Sequence, residues 1–79
     1  MKLQYTAIDN HGNITQYMRT FADETSKSTV EDILYSHKRL LNAIAESKTD
    51  GFLSFTDDCL GEVMLRVNGY SGFVFKIVD

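Results

Sequence analysis

The chain has 79 residues, no proline, one cysteine and a formal net charge of −3. This length allows one hydrophobic core, so we predict a single domain over residues 1–79. The basic residues are scattered, with Lys38-Arg39 as the one basic doublet, which makes nucleic acid an unexpected partner because phosphate binding requires a clustered basic face.

The cysteine content and the apolar runs bear on the compartment. Cys59 has no second cysteine to pair with, so an internal disulfide and a zinc site built on paired cysteines are excluded. No apolar run approaches the roughly 20 residues that a membrane helix needs, and the first residues follow a strand pattern rather than an apolar signal core. We therefore expect a cytoplasmic protein that does not associate with a membrane.

The first two predicted elements are strands joined by a tight turn. Residues 2–9 alternate between apolar and polar side chains, which is typical of a half-buried strand, and residues 14–22 are rich in β-forming types. Asp9–Asn13 lies between them and contains Asn and Gly, which tolerate positive φ. These features predict a β-hairpin. Its inward side is predicted to carry Leu3, Tyr5, Tyr17 and Phe21.

The next segment has the period of a helix. Apolar residues recur three and four positions apart between residues 30 and 45. Ser28 and Glu31 fit a capping box, which predicts that the helix begins at Thr29 with Ser28 as its N-cap. Gly51 can adopt the left-handed conformation that closes a helix. The core-facing stripe is predicted to contain Val30, Ile33, Leu34, His37, Leu40, Leu41, Ile44 and Ala45.

After the helix, the period returns to two. Residues 52–57, 62–68 and 73–78 are separated by short turn-forming segments, which predicts an antiparallel meander of three strands. The complete order ββαβββ predicts an α+β domain: a mainly antiparallel five-stranded sheet with one long helix packed on one face. The sheet side of the core is predicted to contain Leu3, Tyr5, Tyr17, Phe21, Leu53, Phe55, Val63, Leu65, Val67, Phe73, Phe75 and Ile77.

His37 is the first candidate for a catalytic side chain, because it is a titratable residue within the apolar stripe of the helix. We expect a neutral core imidazole hydrogen-bonded to a neighbour such as Tyr5 or Tyr17. A small enzyme with a site around His37 is the alternative. His11 lies in a turn, no paired-histidine spacing exists, and adjacent Asp57 and Asp58 point to opposite sides of a strand end. We therefore expect no enzymatic activity, no metal and no cofactor.

Tyr35 is an aromatic residue on the polar side of the helix, with Arg39 one turn away. One interpretation is a surface tyrosine whose ring is covered by the stem of Arg39. The other is a contact patch of Tyr35, Arg39 and Asn42, because Tyr and Arg are enriched at binding hot spots.

These observations favour a small non-catalytic protein–protein interaction module, of the accessory or inhibitor kind that phages and mobile elements encode. We expect it to be homo-oligomeric, as a homodimer. One helix covers one face of a sheet, so we predict that the opposite face binds the partner or a second copy. Ile14 and Val78 are among the apolar residues that alternate onto that face. The predicted partner-binding residues are Met18, Phe52, Met64, Arg66, Val74 and Lys76 on the sheet, and Tyr35 and Arg39 on the helix.

A nucleic-acid-binding module is the other alternative. It would use aromatic side chains of the sheet as stacking platforms next to basic residues. The predicted residues are Phe52, Tyr70 and Phe73, with Arg66 and Lys76 beside them.

Overall fold

The computed structural model describes residues 1–79, and its element order confirms the α+β class and the order ββαβββ. A short 3-10 turn, Val67–Gly69, precedes the last strand. The elements are β1 (Lys2–Asp9), β2 (Ile14–Thr20), α1 (Lys27–Ser47), β3 (Phe52–Asp57), β4 (Gly61–Arg66) and β5 (Tyr70–Val78).

The five strands form two sheets, so the prediction of one five-stranded sheet is wrong. One sheet has the order β2-β1-β5, and the other is the β3–β4 hairpin. All pairs are antiparallel, and Tyr5 lies between Tyr17 on β2 and Phe75 on β5. The predicted meander of the last three strands is also wrong, because β5 leaves the hairpin through the 3-10 turn and pairs with β1. A period of two identifies the faces of a strand but not its neighbours.

Two adjacent carboxylates join the sheets at one corner. The Asp58 N–H donates to the Met18 carbonyl at 2.8 Å, and the Met18 N–H donates to Asp57 Oδ1 at 2.9 Å. The Thr20 N–H donates to Asp58 Oδ1 at 3.0 Å. Side-chain oxygens thus replace the ladder that would have continued the sheet from β2 to β3.

Both sheets and the helix share one hydrophobic core. The Phe55 ring stacks on Tyr5, with centroids 4.0 Å apart and an interplanar angle of 11°, and meets the edge of Tyr17 at 5.2 Å. Val30 and Leu34 of α1 are buried in the same cluster. Every residue predicted for the sheet side of the core is buried in this cluster or packs against it, so that set is confirmed.

The helix begins and ends at other residues than predicted. Ser26, in an extended conformation, is the N-cap, and its Oγ accepts the N–H of Thr29 at 3.2 Å. The predicted cap at Ser28 is therefore wrong. The residue with positive φ at the C-terminus is Lys48, at 56°, rather than Gly51.

The apolar stripe of α1 is wider than the surface that it covers. Val30, Leu34 and Ile44 are buried, whereas Leu40 is 40% exposed and Ala45 is exposed. The prediction that Leu40 and Ala45 lie in the core is wrong, because a narrow three-stranded sheet and a two-stranded hairpin meet only the centre of the stripe. No helix of the chain is long and apolar enough to span a bilayer.

Candidate protein-binding surfaces

The predicted partner-binding residues lie on three surfaces rather than one. Because the inner faces of the two sheets share one core, their outer faces lie on different sides of it, and the predicted continuous face is divided. We name the three groups by the element that carries them. The hairpin patch is Phe52, Met64 and Arg66, the sheet patch is Met18, Val74 and Lys76, and the helix patch is Tyr35 and Arg39.

The hairpin patch lies on the outer face of the β3–β4 pair. Phe52 is directly opposite Arg66, and Met64 is opposite Ser54, the next outward residue after Phe52. Side chains directly opposite or diagonal in a ladder are within reach of one another. Phe52 is 52% exposed and Met64 is 65% exposed. The hairpin therefore presents two large apolar side chains beside a guanidinium group.

Asp50 holds Arg66 in place. The Arg66 Nε donates to the Asp50 carboxylate, which also accepts the backbone N–H of Gly51 at 2.8 Å and that of Asn68 at 3.3 Å. The Arg66 hydrogen bond is the main reason that the pKa of Asp50 lies below its usual value. The carboxylate thus joins the segment before β3 to the end of β4, which fixes the base of the hairpin patch.

The sheet patch is interrupted by polar residues. Gln4 of β1 lies between Met18 and Lys76, and Thr6 lies between Gln16 and Val74. Met18 is half-buried, whereas Val74 is exposed. The apolar residues of this face are thus separated by amide and hydroxyl groups, which makes them a weaker apolar surface than the hairpin patch.

The helix patch contains an exposed tyrosine with a cation over its ring. Tyr35 and Arg39 are both exposed, and the Lys38 Nζ lies 5.9 Å from the centroid of the Tyr35 ring. Lys38 therefore supplies the cation–π contact, where the sequence predicted the stem of Arg39.

His37 occupies the place predicted for it. Its Nε2 is hydrogen-bonded to the Tyr5 hydroxyl at 3.2 Å, and its ring lies 6.0 Å from the Phe75 ring, 19° from parallel. Burial is the main reason that the pKa of His37 is lowered, and the charge of Arg19 adds to the effect. The imidazole is therefore neutral at pH 7 and tied to the core.

An open groove of about 330 Å³ reaches His37 between α1 and the hairpin, with Arg19 and Glu62 on its walls. It is the position for a small enzyme site around His37. One of the two imidazole nitrogens of His37, Nε2, is already hydrogen-bonded to the Tyr5 hydroxyl. No three metal-ligating side chains of the chain are grouped to hold an ion.

The aromatic residues predicted for nucleic-acid stacking do not form one platform. Phe73 and Tyr70 are half-buried against the core, with ring centroids 5.2 Å apart. Phe52 lies on the outer face of the other sheet. Stacking of successive bases requires aromatic rings along one surface, which these three residues do not provide.

Sequence reasoning missed the role of Asp57. Its carboxylate is buried and accepts three backbone N–H groups, from Met18, Cys59 and Leu60. The contacts to Cys59 and Leu60 follow a local turn pattern that an Asp at a strand end indicates. The contact to Met18 spans 39 residues, and no local signal could have found it.

Comparison of the chain with protein-family models, with curated proteins and with solved structures finds no match. Function must therefore be inferred from the surfaces of the molecule. Among them, the hairpin patch combines exposed apolar side chains with a cation that is held in place.

Proposed function

We propose that the chain is a small non-catalytic protein-binding module, of the accessory or inhibitor kind, that acts in the cytoplasm and binds its partner through the hairpin patch. The observation that carries this proposal is the exposure of Phe52 and Met64 side by side on the outer face of β3–β4. Neither side chain contributes to the core of its own chain, so burying them against a partner costs the fold nothing.

The residue types support a protein partner. Aromatic residues, Met and Arg are enriched at the centres of protein interfaces. Methionine has three flexible torsions and a polarisable sulfur, so Met64 can adapt to an apolar pocket. Phe52 supplies a rigid anchor with few torsions to order on binding.

Arg66 adds direction to the apolar contact. Its Nε is bound to Asp50, which leaves its terminal N–H groups free to meet a carboxylate or carbonyl of the partner. Thr56 and Glu62 lie opposite each other at the far end of the same face. The face thus carries Phe52 and Met64 as diagonal neighbours, with Arg66 at one end and polar Thr56 and Glu62 at the other.

Capture of the partner from the source cell by the tagged chain, followed by mass spectrometry, tests the proposal. The double variant Phe52→Ser with Met64→Lys should lose the captured protein and keep cooperative unfolding, because both positions are exposed. The matched control is Ile14→Lys, which places a charge at a position that is 64% exposed on the outer face of β2. It should keep the partner.

The opposite result would show that another surface binds. If the double variant folds and captures the same protein as the parent chain, the hairpin patch is not the interface. The nucleic-acid alternative has its own test, since binding of a fluorescent oligonucleotide at low salt should be absent.

A further inference from the structure

The free edge of β5 is a second exposed feature of the fold, separate from the hairpin patch. β5 spans nine residues and is an outer strand of its sheet. Its register with β1 is regular from Gly72 to Val78 and is interrupted only next to Asp9. One side of this strand is therefore paired along its length, and the other side has no neighbouring strand.

The contacts of Met18 show which backbone groups of β5 face outward. In an antiparallel ladder, the N–H and C=O of one residue point to the same side, and that side alternates along the strand. The N–H and C=O of Met18 both bond to the Asp57–Asp58 corner, away from β1. Met18 is opposite Gln4, which is in turn opposite Lys76. Gln4 therefore bonds to Lys76, and alternation directs the N–H and C=O groups of Phe73, Phe75 and Ile77 to the free edge.

These outward groups have no partner within the chain. None of the backbone hydrogen bonds outside the helix and the ladders involves them, and no side chain bonds to them. Proteins usually protect such an edge with proline, a central bulge, a short strand or several charges. Here the regular stretch has no proline and carries one charge, Lys76. An extended strand could add to this edge.

The space beside the edge is open and partly apolar. A groove of about 370 Å³ lies between α1 and β5, lined by Lys38, Leu41 and Asn42 of the helix and by Phe73, Val74 and Phe75 of the strand. The groove thus offers Leu41 between two polar side chains on its helix side, and apolar side chains with unpaired backbone groups along the strand.

We propose that the edge of β5 pairs with β5 of a second copy, antiparallel about a two-fold axis at Phe75. This joins two three-stranded sheets into one continuous sheet. Phe75 is the midpoint of the regular stretch Gly72–Val78. In this register Phe75 faces the same residue of the other copy, and Phe73 faces Ile77 twice, once on each side of the axis. About six backbone hydrogen bonds form, two for each of these three facing pairs.

The strand is complementary to itself in this register. Apolar residues face apolar residues, and Lys76 faces Val74 of the other copy, so that the two lysines are diagonal neighbours rather than directly opposite. Like charges directly opposite would destabilise the pair. A closed two-fold arrangement also leaves no free β5 edge, so the association stops at the dimer. An unrelated strand would satisfy the backbone but would not reproduce this match by symmetry.

Charge substitutions test the register. Val74 is 52% exposed, so Val74→Lys should fold, and it places a lysine opposite Lys76 of the other copy at two symmetric points. We expect self-association about tenfold weaker than in the parent chain, measured by sedimentation velocity over a range of concentrations. Adding Lys76→Glu to Val74→Lys restores an opposite pair and should restore the dimer, and Val74→Glu alone should tighten it. Ile14→Lys, on β2, is the matched control and should dimerise as the parent does.

Several results would overturn the proposal. They are a parent chain that stays monomeric at all concentrations, a Val74→Lys variant that dimerises like the parent, or a charge-swapped double variant that stays as weak as Val74→Lys. Equal loss in Ile14→Lys would place the contact on the outer face instead. If the chain stays monomeric and the edge amides become protected only when a peptide of another protein is added, the edge belongs to a foreign strand.

Discussion

The two edges of the three-stranded sheet differ in whether their outward backbone groups are hydrogen-bonded within the chain. At the β2 edge, Met18 and Thr20 are bound by Asp57 and Asp58, with contacts between 2.8 and 3.0 Å. At the β5 edge, no group of the chain bonds to the outward N–H and C=O groups of Phe73, Phe75 and Ile77. The part of the β2 edge at Met18 and Thr20 is capped by Asp57 and Asp58, whereas the β5 edge has no such cap along its regular stretch.

The difference shows how side-chain caps determine which part of a sheet edge remains open for association. A carboxylate at a strand edge accepts backbone N–H groups but donates none, so it satisfies the edge and ends the sheet. Asp58 completes the cap with its own N–H to the Met18 carbonyl. The edge without such a cap keeps both donors and acceptors and can extend the sheet. The aspartates thus block strand addition at the Met18–Thr20 part of β2 and leave the edge of β5 open.

Replacing Asp57 should have the largest effect on this contrast. Asp57→Ala leaves the N–H groups of Met18, Cys59 and Leu60 without their acceptor, in a buried position. We expect a clear loss of stability in urea unfolding and a tendency to aggregate through the uncapped β2 edge. Asp58→Ala is the matched control, because Asp58 is exposed and should cost less. Equal midpoints for the two variants would mean that Asp57 is not the centre of the cap.

Acidification should weaken the capped edge before the open one. Hydrogen bonds from Met18 to Asp57 and from Thr20 to Asp58 hold both pKa values below the usual value for aspartate. An aspartate whose pKa is lower in the folded state than in the unfolded state stabilises the fold at a pH above its unfolded pKa. This stabilisation is lost as the pH falls through the pKa of the folded state. We expect stability to fall below about pH 4. Asp57→Asn should reduce the slope of stability against pH in that range, and an unchanged slope would contradict the account.

The N-cap of α1 contacts neither sheet edge, so its replacement provides a reference for these losses of stability. Ser26→Ala removes the acceptor of the Thr29 N–H at the start of α1 and should cost about 0.5–2 kcal/mol in thermal or urea unfolding. Ser28→Ala, two residues on, should cost less. Self-association should be unchanged in both at concentrations where they are folded. A larger loss for Ser28→Ala would return the cap to Ser28.

His37 lies behind the open edge, and its replacement should have the smallest effect. His37→Leu removes the bond to the Tyr5 hydroxyl but ends the burial cost that lowers the imidazole pKa, so stability at pH 7 should change by at most about 1–2 kcal/mol. Because a lowered histidine pKa makes folding less favourable as the pH falls below about 6.5, the variant should lose less stability on mild acidification. Loss of partner binding with unchanged unfolding would instead give the imidazole a functional role.

The faces of the elements could be predicted from the sequence, but their neighbours could not. The alternation that buries Leu53 and Phe55, and the stripe that brings His37 to Tyr5, follow from side-chain periodicity. The pairing of β5 with β1 and the contact of Asp57 with Met18 are long-range choices among strands of similar pattern. Ser26 and Ser28 are both competent caps by type.

The candidate surfaces show the same limit. The sequence identified Phe52, Met64 and Arg66 as exposed contact residues, and the register places them next to one another. The sequence also predicted Met18 and Val74 on the same face as Phe52, Met64 and Arg66. That prediction assumed a single sheet, and the strands form two. The free edge of β5 had no sequence signal, since an edge is defined by the absence of a neighbour.

Backbone amide exchange along β5, measured at low and at high chain concentration, tests the central claim most directly. In a dilute sample, the N–H groups of Val74 and Lys76 should exchange slowly because they bond to β1, whereas those of Phe73, Phe75 and Ile77 should exchange quickly. At high concentration, the second group should become protected as the two edges pair. Protection of Phe73, Phe75 and Ile77 in the dilute sample, or their rapid exchange in the concentrated one, would contradict it.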